Sequence, residues 1–76
     1  MLAFVLIKAE PSQEHRVYTK LLEIPEVSEL NPLFGEYDLI AKIELEDDVH
    51  ELSEIIEKIR SLEGIIKTVT LTGAKF

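Results

Sequence analysis

The hydrophobic pattern opens with a near-continuous apolar run, LAFVLIKA over residues 2–9. Apolar positions at both parities over this length predict a strand buried on both faces. Pro11 and Ser12 interrupt the pattern, after which Val17, Leu21 and Ile24 recur at helical spacing with Tyr18 and Leu22 alongside. The spacing predicts a helix with Ser12 as N-cap, Glu14 in the first turn near the positive end of the dipole, and Pro25 as its stop. Residues 27–34, VSELNPLF, alternate weakly. Pro32 has no N–H to give a ladder, so this segment belongs at a sheet edge. YDLIAKIEL, residues 37–45, alternates more clearly and aligns Tyr37, Leu39, Ala41, Ile43 and Leu45 on one face. A second helix follows from the stripe Val49, Leu52, Ile55, Ile56, Ile59 and Leu62. Asp47 or Asp48 is its expected cap, Glu54 and Lys58 an i,i+4 pair, and Gly64 its C′ residue. IIKTVTLT, residues 65–72, is a largely β-branched last strand.

The resulting order is β-α-β-β-α-β, the ferredoxin-like plan: a four-stranded antiparallel sheet with two helices on one face, an α+β fold. Right-handed crossovers place strands one and three in the centre and strands two and four at the edges. No linker, low-complexity tract or repeat divides the chain, so residues 1–76 form a single domain. Both helices cover one sheet face, yet the first strand is apolar on both: Ala3, Val5 and Ile7 on one side, Leu2, Phe4 and Leu6 on the other. An exposed patch of that kind marks an interaction surface. A face-to-face or edge-to-edge homodimer, or a higher closed oligomer, is therefore expected.

Composition strengthens that expectation. A chain of 76 residues without cysteine has neither disulfides nor thiolate metal sites to supplement a small core. Oligomerisation is the remaining route to further burial. With 15 acidic against 8 basic residues the net charge is -7, which repels phosphate backbones and argues against direct nucleic-acid binding. The opening MLAFVLI is too short for a membrane span and lacks the basic region and cleavage site of a signal peptide, so a soluble cytoplasmic domain is expected.

Candidate chemistry is sparse. His15 and His50 lie near the starts of the two helices without carboxylates at ligand spacing, so no metal site is expected. The acidic run ELEDDVHE, residues 44–51, lacks the alternating ligands and turn glycine of a calcium loop, and reads as a solvated helix start. No phosphate loop or nucleophile motif occurs. Glu36 and Asp38 could share one side of the third strand as an acid/base pair, but nothing around them in sequence perturbs either. Other hosts of this plan are excluded: there is no paired-cysteine metal loop, no stacking aromatics on a basic sheet, and no Arg and Asn at an acylphosphatase-like first loop.

What remains is the turn NPLFGEYDLI, residues 31–40, and a ladder of hydroxyls at Thr68, Thr70 and Thr72. Gly35 permits positive φ and close approach, Tyr37 has an apolar body with a polar tip, and Asp38 points to the opposite face. Polar groups of this kind beside an apolar oligomer interface suit a zwitterion such as an amino acid, with a carboxylate taking the ammonium and hydroxyls or backbone N–H the carboxylate. Taken alone, the threonines read slightly better as edge-strand solvation with β propensity.

The segment IPEVSELNPLFGEYDLIAKIEL, residues 24–45, resembles the effector-sensing (RAM) module of the Lrp/AsnC, or feast/famine, transcription regulators. Pro25-Glu26-Val27 matches the family's lead-in to strand two. Gly35-Glu36-Tyr37-Asp38 matches its turn into strand three, and LEGI (62–65) with TVT (68–70) matches its closing pattern. The resemblance covers nearly the whole chain. It implies sheets paired face to face in dimers, dimers joined into rings, and an amino-acid effector held between dimers. Gly35, Tyr37, Asp38, Thr68 and Thr70 would line or support that site, with no cofactor. Full-length members carry a helix-turn-helix DNA-binding domain ahead of this module, whereas this sequence starts at strand one. The expectation is a stand-alone, non-enzymatic module that binds an amino acid and assembles with itself or with a full-length Lrp/AsnC regulator. A small dimeric ferredoxin-like enzyme, monooxygenase- or isomerase-like, and a purely structural assembly subunit are the alternatives.

Overall fold

The structure is a computed structural model describing residues 1–46 and 49–73. Strand β1 (Leu2–Ala9) leads to helix α1 (Glu14–Leu22), then to strands β2 (Val27–Pro32) and β3 (Leu39–Glu44), helix α2 (Val49–Arg60) and strand β4 (Ile65–Thr72). The four strands form one antiparallel sheet in the order β2-β3-β1-β4. The ferredoxin-like plan, the central β1 and β3, and the edge position of Pro32 are as the sequence predicts.

The core follows from the strand parity. Ala3, Val5, Ile7 and Ala9 of β1 are buried, as are Leu39, Ala41 and Ile43 of β3. They form one cluster with Val17 and Leu21 of α1 and Leu52, Ile55 and Ile59 of α2, so both helices lie on the same sheet face. The alternate positions face away from the helices. Leu6 pairs with Ile40 on one side and Val69 on the other, while Phe4 pairs with Lys42 and Leu71. This open face is only partly shielded: Leu71 is 49% exposed and Leu2 37%. The N-terminal ammonium donates to the carbonyls of Leu45 at 2.6 Å and Glu46 at 2.9 Å, fastening the first strand to the end of the third.

Local details differ from expectation. Ser12 is not the N-cap of α1. Gln13 holds that position with no side-chain cap, and Ser12 takes a left-handed φ of 71° in the turn before it. A left-handed residue turns the chain sharply from strand to helix, and its side chain then no longer projects over the first-turn amides. Helix α1 ends at Leu22, one turn short of Pro25, because the N–H groups of Glu23 and Ile24 bond back three residues, to Lys20 and Leu21, in a tightened last turn. Gly64 lies beyond the end of α2, in the turn into β4, with φ of 97°. Its carbonyl accepts the Glu10 N–H at 2.7 Å, so it joins the two helix–strand turns instead of terminating the helix. Glu54 and Lys58 are not among the ion pairs of the described residues, in keeping with the small gain such exposed pairs offer. The expected cap at Asp47 or Asp48 lies outside the described residues.

Candidate ligand-binding site

The turn between β2 and β3 is closed by backbone bonds. Leu33 N–H donates to the Asp38 carbonyl at 2.8 Å, and Asp38 N–H donates to the Ile7 carbonyl at 2.9 Å. The Asp38 side chain adds a third tie: its Oδ2 accepts the Ala9 N–H at 2.8 Å. That bond continues the β1–β3 association past the last ladder pair, Ile7 with Leu39. Gly35 takes φ of 118°, which only glycine adopts without strain, yet a Cβ there would meet nothing within 4 Å. Backbone geometry, not crowding, calls for glycine here. Among the described residues, no other part of the chain makes the close approach that the residue permits.

Because regular strand geometry starts at Leu39, alternation does not extend back to Tyr37. Its ring is drawn toward Lys67, whose Nζ lies 5.8 Å from the ring centroid, and Lys67 pairs with Lys8 in the open-face row. The sequence places Tyr37 on the buried row of Leu39, Ala41 and Ile43; the structure does not. Asp38 instead borders a cleft of about 460 Å³ between α1 and the hairpin. Glu14, His15 and Tyr18 form one wall of it, and Pro32, Leu33, Phe34 and Leu39 the other. The helical wall is the part that sequence reasoning misses. Its signal is the i,i+3 and i,i+4 spacing of His15 and Glu14 to Tyr18, which places all three side by side on α1.

Thr68 and Thr70 are not brought to Asp38. Register pairs Thr68 with Ile7, Thr70 with Val5 and Thr72 with Ala3, so the ladder shares one face as expected, and that face is the helix side of an edge strand. Thr68 Oγ1 accepts from Arg60 Nε at 3.2 Å, which ties it to the end of α2. Leu39 and Thr68 both pair with Ile7, so they stand two strand spacings apart, about 10 Å. Within one copy the five residues divide into Asp38 at the cleft, Gly35 at the turn tip, Tyr37 beside Lys67, and the two threonines along the far edge.

The domain is thus ferredoxin-like, with an apolar open sheet face and a polar-rimmed cleft at its hairpin. Residues 2–72 match the model of the Lrp/AsnC ligand binding domain, and the chain belongs to that family. It is 34% identical over 75 residues to the HTH-type transcriptional regulator FL11 of Pyrococcus furiosus, covering 99% of this chain and 49% of FL11. The chain thus spans about half the length of that relative. A homocitrate synthase of Sulfurisphaera tokodaii is 36% identical over 69 residues, covering 90% of this chain but 15% of the synthase. Among solved structures, TTHA0845 of Thermus thermophilus superposes with a TM-score of 0.90 at 36% identity, covering 99% of this chain and 94% of that one. The transcriptional regulator NMB0573 of Neisseria meningitidis, in complex with L-Met, shares the fold with a TM-score of 0.82 at 18% identity, covering 97% of this chain and 49% of that one. No helix among the described residues is long and apolar enough to cross a membrane.

Proposed function

We propose that this domain binds an amino-acid effector and assembles through its open sheet face, and that effector-dependent assembly modulates transcription. One observation carries the reading. Leu6, Ile40, Val69 and Leu71 form an apolar strip on the uncovered face, and the Tyr37–Lys67 pair borders it. A copy stacked on this strip lies directly beside the turn. In this reading Asp38 takes the effector ammonium, Gly35 allows backbone contact, and Tyr37 shields the site. Thr68 and Thr70 lie on the helix side of β4, two strands from Asp38 and turned away from a copy stacked on the open face, so they serve the site only from a further copy joined along its β4 edge.

The family and the regulator FL11 support a role in transcription, and the L-Met complex of NMB0573 supports an amino acid as the effector class. The net charge of -7 disfavours phosphate-backbone contact by this domain itself, so in this reading DNA contact belongs to a helix-turn-helix domain. A similar stretch forming a small part of a synthase favours a sensor coupled to different outputs over an enzyme in its own right. The ligand acts on assembly only through its difference in affinity between assembled and dissociated forms.

A thermal-shift screen of the twenty amino acids, read together with light scattering, tests this. A ligand at about a hundredfold its dissociation constant adds about 2.7 kcal/mol, or on the order of 10 °C in Tm for a domain this small. At least one amino acid is expected to give such a shift together with a change in mass. If none of the twenty does so at millimolar concentration, the effector reading fails.

A further inference from the structure

We infer that the open sheet face is keyed by charge: Lys8 of one copy meets Glu44 of a second, so the two stack with like strands antiparallel, about a two-fold axis that crosses the strands. The inference rests on the reading that this face assembles. It adds the orientation of the pair and the residues that set it.

Strand register gives the charge map of the face. At the end next to the β2–β3 turn, Lys8 of β1 and Lys67 of β4 are direct partners in the ladder, a position in which like charges repel. Among the described residues neither lysine enters an ion pair; the pairs are Arg16 with Glu63, Lys20 with Glu23 and Lys42 with Glu29. Lys67 is held instead over the Tyr37 ring. Asp38 does not relieve the lysines, because its carboxylate accepts the Ala9 N–H and borders the cleft on the α1 side. At the opposite end of the face Glu44 is the partner of Leu2 and is likewise unpaired among the described residues. Leu2 to Lys8 spans about 20 Å of extended strand. Within one copy the two ends therefore cannot neutralise each other.

A face with one cationic and one anionic end is complementary to itself only when reversed. Identical chains pair about a two-fold axis, and β1, with Leu2, Phe4 and Leu6 on this face, belongs at the centre of the stack. Two aligned arrangements follow. An axis along the strands lays Lys8 over Lys8, with Lys67 beside it. An axis across the strands lays Phe4 over Leu6 and Lys8 over Leu2, diagonal to Glu44. Stacked sheets lie about 10 Å apart and neighbouring strands about 4.8 Å, a diagonal that a lysine and a glutamate together span. Apolar overlap is similar in the two arrangements, so charge decides between them. The first sets lysine pair against lysine pair, and the second forms the Lys8–Glu44 contact twice by symmetry. Such pairs fix orientation by excluding the wrong one, while the apolar strip holds the copies together.

The chain has no cysteine, so introduced cysteines report orientation without background. Lys8→Cys mixed with Glu44→Cys and treated with a bis-maleimide of about 10 Å span is expected to give a cross-linked pair, and Lys8→Cys alone none. Lys8→Cys that cross-links to itself, with no mixed product, overturns the inference and leaves the assembly reading intact. Sedimentation supplies a second test. Glu44→Lys removes one negative and adds one positive charge, taking -7 to -5, so repulsion between whole chains alone would tighten the pair. The keyed contact instead predicts about tenfold weaker association in Glu44→Lys and in Lys8→Glu. The double variant Lys8→Glu/Glu44→Lys, back at -7, is expected to return to within about threefold of wild type. Tightening in Glu44→Lys, or a double variant as weak as its single changes combined, overturns the inference. A wild-type chain that stays single up to millimolar concentration ends the assembly reading along with it.

Discussion

At the scale of single residues, two glycines with positive φ have different reasons to be glycine. Gly35 needs only its backbone freedom, because open space surrounds the position of a Cβ. A Cβ on Gly64 would lie 3.1 Å from both the Cβ of Gln13 and the Cγ2 of Val17. Val17 is fully buried, so it has nowhere to retreat. Gly35→Ala is expected to cost about 1–2 kcal/mol from backbone strain alone. Gly64→Ala adds a steric cost of about 1–3 kcal/mol, because the two helix–strand turns are pressed together there. Urea denaturation of both variants checks the order. Equal losses would show that the turn moves aside. Both glycines stand out in the sequence as turn residues, but their difference does not. It depends on α1 packing against a loop about fifty residues away, which no local pattern encodes.

At the scale of elements, the sequence specifies what depends on period and leaves open what depends on register. Four strands, two helices and the edge position of β2 follow from the spacing of apolar residues and from Pro32. The same alternation assigns Leu39, Ala41 and Ile43 correctly to the buried row. It fails one step earlier, at Tyr37 and Asp38, because regular pairing with β1 ends at Leu39 and the side chains beyond it are oriented by specific bonds. The threonine ladder is legible as one face, but its facing the helices is set by pairing with the distant β1. Asp38 shows how a turn becomes part of the sheet: its carboxylate holds the Ala9 N–H where the ladder has run out. Asp38→Ala leaves that part-buried donor unsatisfied, with an expected loss of about 1–3 kcal/mol. Asp38→Asn keeps an amide oxygen as acceptor and is expected to lose less than half as much. Hydrogen exchange at Ala9 gives the decisive reading. It should accelerate in the alanine variant and stay near wild type in asparagine; equal protection in both would mean that the carboxylate does not hold the turn.

At the scale of the molecule, surface area and charge pull assembly in opposite directions. The accessible surface is 5232 Å², against about 4,700 Å² for an average monomer of this mass. The excess agrees with a two-layer fold whose sheet is bare on one side. Leu6, flanked by Ile40 and Val69, is the centre of that side. In Leu6→Lys the lysine stem still covers the sheet while its ammonium bars a second copy, so light scattering should report the mass of one chain, with Tm lowered by the loss of the stabilisation that assembly supplies. Charge opposes the same contact. Two copies stacked along the 17 Å short axis, each carrying -7, repel by about 2 kcal/mol at 0.1 M salt and by almost nothing at 1 M. Lysines and glutamates share the open face, with Lys42 and Glu29 at 3.9 Å, and exposed pairs of this kind are worth less than about 1 kcal/mol. Repulsion between whole chains therefore outweighs attraction between rims. Raising sodium chloride from 0.1 to 1 M is expected to tighten self-association about tenfold or more in sedimentation experiments. Dissociation over that range would show instead that ion pairs, not the apolar strip around Leu6, hold the copies together.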